Sequence, residues 1–429
     1  MRFGIVADDN TGASDAAGML TEKGVRTALV LSRAPGRDAE ALPQGFEAVV
    51  LGTRIRSVPP EQARGRTTAA IRRLRALRVE KIQLKYCSTF DSTPEGNIGC
   101  SLDAALDELG QKATIVTPAL PVNGRTTYNG YHFVNGVLLS ESPLRDHPVT
   151  PMKDSNLVRW LQQQTRHRVD LVRLDEIRPG PEHLRRSLAS KVAAGACYLV
   201  TDAIEQADLT VVAEATADWP FISGASGITA EIPRLLFPGR SPLNFTERLQ
   251  GLPDGMLVVS GSQSPATRAQ NAWAARNGFA ALPIEARDVL RGKVDVDRIS
   301  EEAGALLSEA RPVIVYVHAE SPEDVREVQD FGRTLGLPVA ETGAMVADVL
   351  AKTADRLLGS GRVGRLIVSG GDTSGAVCAE AGLGSLEVGL PVEPGVPYCF
   401  PLARPDLLVV LKSGNFGSED FYQRVRNLR

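Results

Sequence analysis

The chain has 429 residues, 43% hydrophobic and 23% charged, with a formal net charge of -3. This length exceeds what one core normally organises, so two domains are expected, and a pI near 6.1 provides no broad basic field for nucleic acid. No window approaches 18 uninterrupted apolar residues and no basic-then-apolar leader opens the chain, so the sequence predicts no membrane span, no signal peptide and a cytoplasmic protein.

Short β-branched runs alternate with helix-length segments: "RFGIVA", "RTALVLS", "EAVVLGT", "KIQLK", "ATIVTPA" and "CYLVTDA", then "MLVVSGS", "RPVIVYVHA", "RLIVSGG" and "LLVVLKS". That alternation predicts an α/β fold of two domains, each with a mainly parallel sheet flanked by helices. Helices are expected over 60–77, 97–110, 265–277 and 322–335, where apolar residues recur at spacings of three and four. The stretch 118–153 reads as a long, loop-rich insertion able to close over a ligand. A segment rich in proline, glycine and polar residues, 237–255, marks the boundary between domains at 1–240 and 254–429. The five cysteines show no CxxC spacing and the five histidines no HExxH, so reduced thiols and no side-chain metal site are expected.

The first strand ends in "DDNTG", 8–12. A strand-to-helix turn normally offers amide N–H groups to an anion. Asp8 and Asp9 would repel a phosphate there, so this turn is expected to hold hydroxyls. "GTRIRSVP" (52–59) and "KYCSTFDSTPEGNIG" (85–99) add cations and another acid at further strand ends. Asp8, Asp9 and Asp91 accept hydrogen bonds from hydroxyls, whereas Arg54, Arg56 and Lys85 bind a carboxylate, which suits a small polyhydroxy acid. An ordinary ion-pair network is the even alternative.

Phosphates need another place, and the sequence has no GxxxxGK[ST], no kinase HRD or DFG set and no dinucleotide GxGxxG. Three glycine-rich turns in the second half each follow an apolar strand: "VVSGSQSPATRAQ" (258–270), "IVSGGDTSGAV" (367–377) and "VVLKSGNFGSED" (409–420). One such turn is weak evidence. Three at the strand ends of one domain favour a nucleotide site, because open α/β sheets bind ligands there.

With these motifs in hand, the sequence resembles the four-carbon acid sugar kinase family over essentially its whole length. Asp8 to Gly12 match the family's DDxTG opening; Lys85, Asp91, Ser92, Thr93, Gly96 and Asn97 match its K…DST…GN element. Ser260 to Ser262, Gly370 to Gly375 and Lys412 to Gly417 match its SGS, GGDTSG and KSGNFG elements. "KYCSTFDST", "PALPVNGRTTY" and "RDHPVTPMKDSNLVR" look like the branch that phosphorylates the terminal (4-) hydroxyl of 3-oxo-tetronate, and Pro94 and Glu95 depart from the "DSTLRGN" of the threonate and erythronate branches.

The resemblance implies an ATP- and Mg²⁺-dependent enzyme of carbohydrate acid catabolism with its active site in the interdomain cleft. Its small-molecule partners are the acid sugar and ATP, and a homo-oligomer is left open. It implies Arg54 and Lys85 on the substrate carboxylate and Asp8, Asp9, Asp91 and Ser92 on the rest of the acid. ATP would lie on Ser260, Gly261, Ser262, Gly370, Gly371, Asp372, Thr373, Ser374, Gly375, Lys412, Gly414 and Asn415. Asp372 is the first candidate for the base and Asp9 the second. The rival readings are a kinase for threonate, erythronate or a branched 3-oxo acid, and a non-catalytic sensor of ATP and a sugar acid.

Overall fold

A computed structural model describes residues 1–31, 45–147, 149–319 and 321–429, which fall into two compact units divided between Pro242 and Leu243. In the first, β1 (Phe3–Ala7), β2 (Thr27–Leu31), β3 (Ala48–Gly52), β4 (Lys81–Lys85) and β5 (Thr114–Thr117) precede an insertion of three short strands, β6 (Arg125–Tyr128), β7 (Tyr131–Val134) and β8 (Val137–Leu138). β9 (Arg168–Val172), β10 (Ala196–Thr201) and β11 (Phe221–Gly224) complete the unit. Its main sheet runs β2-β3-β1-β4-β11-β5-β10-β9, with every neighbouring pair parallel.

The second unit contains β12 (Gly255–Ser260), β13 (Ala280–Ile284), β14 (Val313–Val317), β15 (Val363–Ser369), β16 (Ser385–Glu393), β17 (Val396–Pro401) and β18 (Leu408–Lys412). β13-β14-β12-β15-β18 are parallel, and the β16–β17 hairpin continues the order antiparallel to β18. The sequence expectation of mainly parallel sheets flanked by helices holds in both units.

Strands such as β1, β3, β12 and β15 are buried at every position, as continuous Val/Ile/Leu runs require when helices cover both faces. Helix Pro60–Ala76 shows the complementary pattern: Ala63, Thr67, Ala70, Ile71 and Leu74 are buried at spacings of three and four, and the arginines lie on the other side. The anticipated helices form at Pro60–Ala76, Ile98–Leu109, Pro265–Arg276 and Pro322–Thr334. Each of the ten anticipated runs contains a strand, although Ser32, at the end of the second, lies outside the described residues.

The insertion differs from expectation. Rather than loose loop it is a small antiparallel sheet, β6-β7-β8, followed by 3₁₀ turns; its Pro148 lies outside the described residues. The buried His132 on β7 holds it in place, with Nε2 2.8 Å from the Ser88 carbonyl and Nδ1 3.0 Å from Thr127 Oγ1. Asp202 reinforces this by accepting the Asn129 and Gly130 N–H groups at 2.8 and 2.9 Å.

Candidate functional site

In the first unit, the carboxyl ends of the adjacent strands β3, β1 and β4 gather the charged residues. Asp9 caps helix Asn10–Glu22 by accepting the Gly12 N–H at 2.9 Å. Arg56 donates from Nε and Nη2 to Asp8 at 2.8 and 3.0 Å, Nη2 also lies 2.9 Å from Asp9 Oδ1, and Nη1 lies 3.9 Å from Asp91. Burial pushes the Asp9 carboxyl above its usual range, Arg56 pulls it back, and neighbouring Asp8 raises it further.

Lys85, the last residue of β4, is 3% exposed, and among the described residues its Nζ makes no hydrogen bond or ion pair. A side chain at Gly12 would press on Asp9 and come within 2.7 Å of that ammonium, so the glycine keeps the approach to Lys85 open.

The structure places two of the expected residues apart from the cluster's centre. Arg54 has a left-handed backbone, φ 53°, and an exposed side chain; Arg56, two residues on, enters the carboxylate cluster instead. Ser92 is buried with its hydroxyl fully engaged, donating to the Phe90 carbonyl at 2.8 Å and accepting from Trp160 Nε1 at 2.9 Å and Gln164 Nε2 at 3.0 Å. These three bonds fix the loop. Asp91 remains at the edge of the cluster, accepting from Thr89 Oγ1 at 2.6 Å. Asn97, outside the candidate set, braces the site by donating to the Arg56 and Val58 carbonyls at 2.7 and 2.9 Å.

In the second unit, the turns after β12 and β15 border a cleft of about 480 Å³, within the range of small-molecule sites. Gly261, Ser262, Gly370, Gly371, Asp372, Thr373 and Gly414 line it. Gly370 has φ 120° and lies against Ser262, a conformation and a closeness that favour glycine.

Of the remaining candidates, Ser260 is fully buried at the end of β12, Ser374 is buried in helix Gly371–Glu380 beside Gly375, and Asn415 is exposed. None of these lines the cleft. Nor does Lys412: its buried ammonium donates to the Ser413 and Phe416 carbonyls at 3.2 and 3.1 Å, and burial lowers its pKa to about 8. It holds the "KSGNFG" turn from inside. Gln270 Nε2 assists with bonds of 2.8 to 3.0 Å to the Phe416, Gly417 and Ser418 carbonyls. The carbonyls of this turn are thus drawn inward, while the Phe416 N–H donates to the Ser413 carbonyl at 3.2 Å and the Ser418 N–H to the Glu393 carboxylate at 2.9 Å.

The opposite wall was missed in the sequence. It comes from the end of β14 and the helices Pro322–Thr334 and Val339–Gly359, which contribute Val317, Val325, Val328 and Val346 beside His318 and Thr342. No group of three His, Cys, Asp or Glu side chains able to hold a metal occurs among the described residues.

Comparison with known proteins fits this division. A family model described as a sugar-binding N-terminal domain matches residues 3–232, and one described as a nucleotide-binding C-terminal domain matches residues 257–422. The chain belongs to this two-domain family. Relatives named 3-oxo-tetronate kinase include proteins of Pseudomonas savastanoi, 39% identical over 98% of this chain and 96% of theirs, and of Burkholderia multivorans, 41% identical with the same coverage. Among solved structures, a Haemophilus influenzae protein superposes with a TM-score of 0.83 at 33% identity. A Salmonella typhimurium protein, provisionally described as a tRNA synthase, gives 0.86 at 32%; both alignments cover 99% of each chain. In the family's terms, the carboxylate cluster lies in the sugar-binding domain and the 480 Å³ cleft in the nucleotide-binding domain.

Proposed function

We propose that the chain transfers the γ-phosphoryl group of ATP to the 4-hydroxyl of a four-carbon acid sugar, 3-oxo-tetronate, in carbohydrate acid catabolism. The observation that carries the reading is the cleft of the second unit: glycine turns on one side for phosphates, and valines on the other for a base. The curated relatives' names supply the acid.

In this reading Lys85 binds the acid's carboxylate, because a buried ammonium with no hydrogen-bond acceptor among the described residues, though near the Asp9 carboxylate, is completed by a further anion. Arg56, already turned into the cluster, takes the part expected of Arg54, and Asp9 and Asp91 accept from the acid's hydroxyls while Asp8 anchors Arg56. The Gly261–Ser262, Gly370–Thr373 and Gly414 turns hold the triphosphate. Mg²⁺ neutralises charge on the phosphates when bound. The donor set suits a Mg²⁺ carried mainly by phosphates and water, with Asp372, beside the glycine turns, as the nearer of the two acids in the cleft lining to assist and Asp324 on the opposite wall.

The 4-hydroxyl oxygen forms the new bond to the γ-phosphorus, the bond to the β–γ bridging oxygen breaks, and the hydroxyl proton passes to Asp372. Asp9 is the poorer base, since it already caps a helix and pairs with Arg56.

The test is Mg²⁺-dependent ADP release across threonates, erythronates and 3-oxo-tetronate, the last generated in situ by a dehydrogenase. Release with 3-oxo-tetronate alone supports the reading in full. Release with a non-oxidised acid keeps the kinase and replaces the substrate, and no release with any acid overturns the kinase.

A further inference from the structure

Gln263 lies between the glycine turn after β12 and Ser264, the N-cap of helix Pro265–Arg276, and is one of the residues lining the cleft. Arg268 pins its main chain by donating to the Gln263 carbonyl at 2.6 Å. The side-chain amide is oriented as well. Nε2 donates to the Val317 carbonyl at the end of β14, at 3.0 Å, and because a carbonyl can only accept, the nitrogen must face Val317 and the oxygen must face away. That oxygen, Oε1, is enclosed and has no hydrogen-bond partner among the described residues. A buried acceptor left unpaired is unfavourable, and at a residue lining a cleft a ligand's donor can complete it.

We infer that Gln263 is a specificity-determining residue of the cleft, whose Oε1 accepts a hydrogen bond from the nucleoside portion of ATP. The inference rests on the nucleotide reading of the cleft. It deepens that reading by exclusion: a triphosphate at neutral pH carries acceptors almost exclusively, so among ATP's own groups the donors are the ribose hydroxyls and the 6-amino group of adenine. A site that hydrogen-bonds one such group discriminates strongly against an analogue lacking it, because the protein acceptor is then stranded.

Calorimetric titration of the full chain tests this, using ATP, 2′-deoxy-ATP, 3′-deoxy-ATP and purine riboside triphosphate, which lacks the 6-amino group. One of the three analogues is expected to bind the wild type about tenfold or more weakly than ATP, and Gln263→Met is expected to erase that deficit. The analogue affected identifies the donor. Equal binding of all four ligands to the wild type overturns the inference whether or not the variant folds, as does a deficit that persists in folded Gln263→Met. Absence of ATP binding to the wild type instead overturns the nucleotide reading, and the inference with it.

Discussion

Arg56 grips Asp8 through two parallel hydrogen bonds of 2.8 and 3.0 Å, and the same guanidinium reaches Asp9 at 2.9 Å. One cation thus compensates two largely buried acids. Arg56→Ala strands Asp8, leaves Asp9 with Lys85 as its remaining cation, and is expected to cost about 3 kcal/mol or more of stability. Arg54→Ala removes an exposed side chain but keeps the carbonyl that Arg66 binds at 3.0 Å, and should stay within about 0.5 kcal/mol of wild type. Urea denaturation of the two variants checks the contrast; equal losses would remove Arg56 from its central place.

Lys85→Met keeps the aliphatic stem and deletes the ammonium. If that ammonium receives the acid's carboxylate, KM for the acid rises roughly 10- to 100-fold while affinity for ATP is unchanged. Steady-state kinetics with each substrate varied in turn separates the two effects, and an unaltered KM for the acid would take Lys85 out of the site.

Asp372→Asn preserves shape and hydrogen-bonding reach but cannot accept the proton as a carboxylate does. Its kcat is expected to fall by about 100-fold or more, with ATP affinity within a few-fold of wild type. Single-turnover measurements at saturating acid and ATP give the answer, and an unchanged rate would assign the base elsewhere.

His132 predicts a pH dependence. Its Nε2–H donates to the Ser88 carbonyl, so Nδ1 accepts from Thr127, and burial lowers the imidazole pKa from 6.5 to about 4. Between these values the unfolded chain takes up a proton that the folded one refuses. This contribution is therefore fully present above pH 6.5 and is lost as pH falls toward 4, amounting to roughly 3 kcal/mol at the lower end. Urea midpoints between pH 7 and 4.5 should fall less steeply in His132→Gln than in wild type; parallel profiles would contradict the assignment.

Much of the fold could be read from the sequence because buried parallel strands are continuous apolar runs, as in "GIVA" and "VIVYV". β13, β16 and β17 escaped because Pro283, Pro391 and Pro397 interrupt such runs, and β11 because it spans only Phe221–Gly224. Within the sites, residue type was legible and direction was not. The left-handed turn at Arg54 changes which arginine enters the cluster, and nothing in "TRIRS" announces it. Lys412 matched the pattern of a phosphate ligand, yet the carbonyls of its own turn claim the ammonium. The valine wall of the cleft has no motif, since helices from separate stretches assemble it.

Of the 48 basic residues, only nine are lysines, and three of those, Lys81, Lys85 and Lys412, are almost wholly enclosed. Amine-directed acylation of the native protein should therefore mark the other six and leave these three unmodified. Each silent amine then reports on its own surroundings: Lys81 and Lys85 become reactive when the first unit opens, and Lys412 when the second does. Acid bound to the first unit would delay labelling at Lys81 and Lys85 together and leave Lys412 unchanged, so mass spectrometry of a partial acylation can follow the two units and the substrate in one sample.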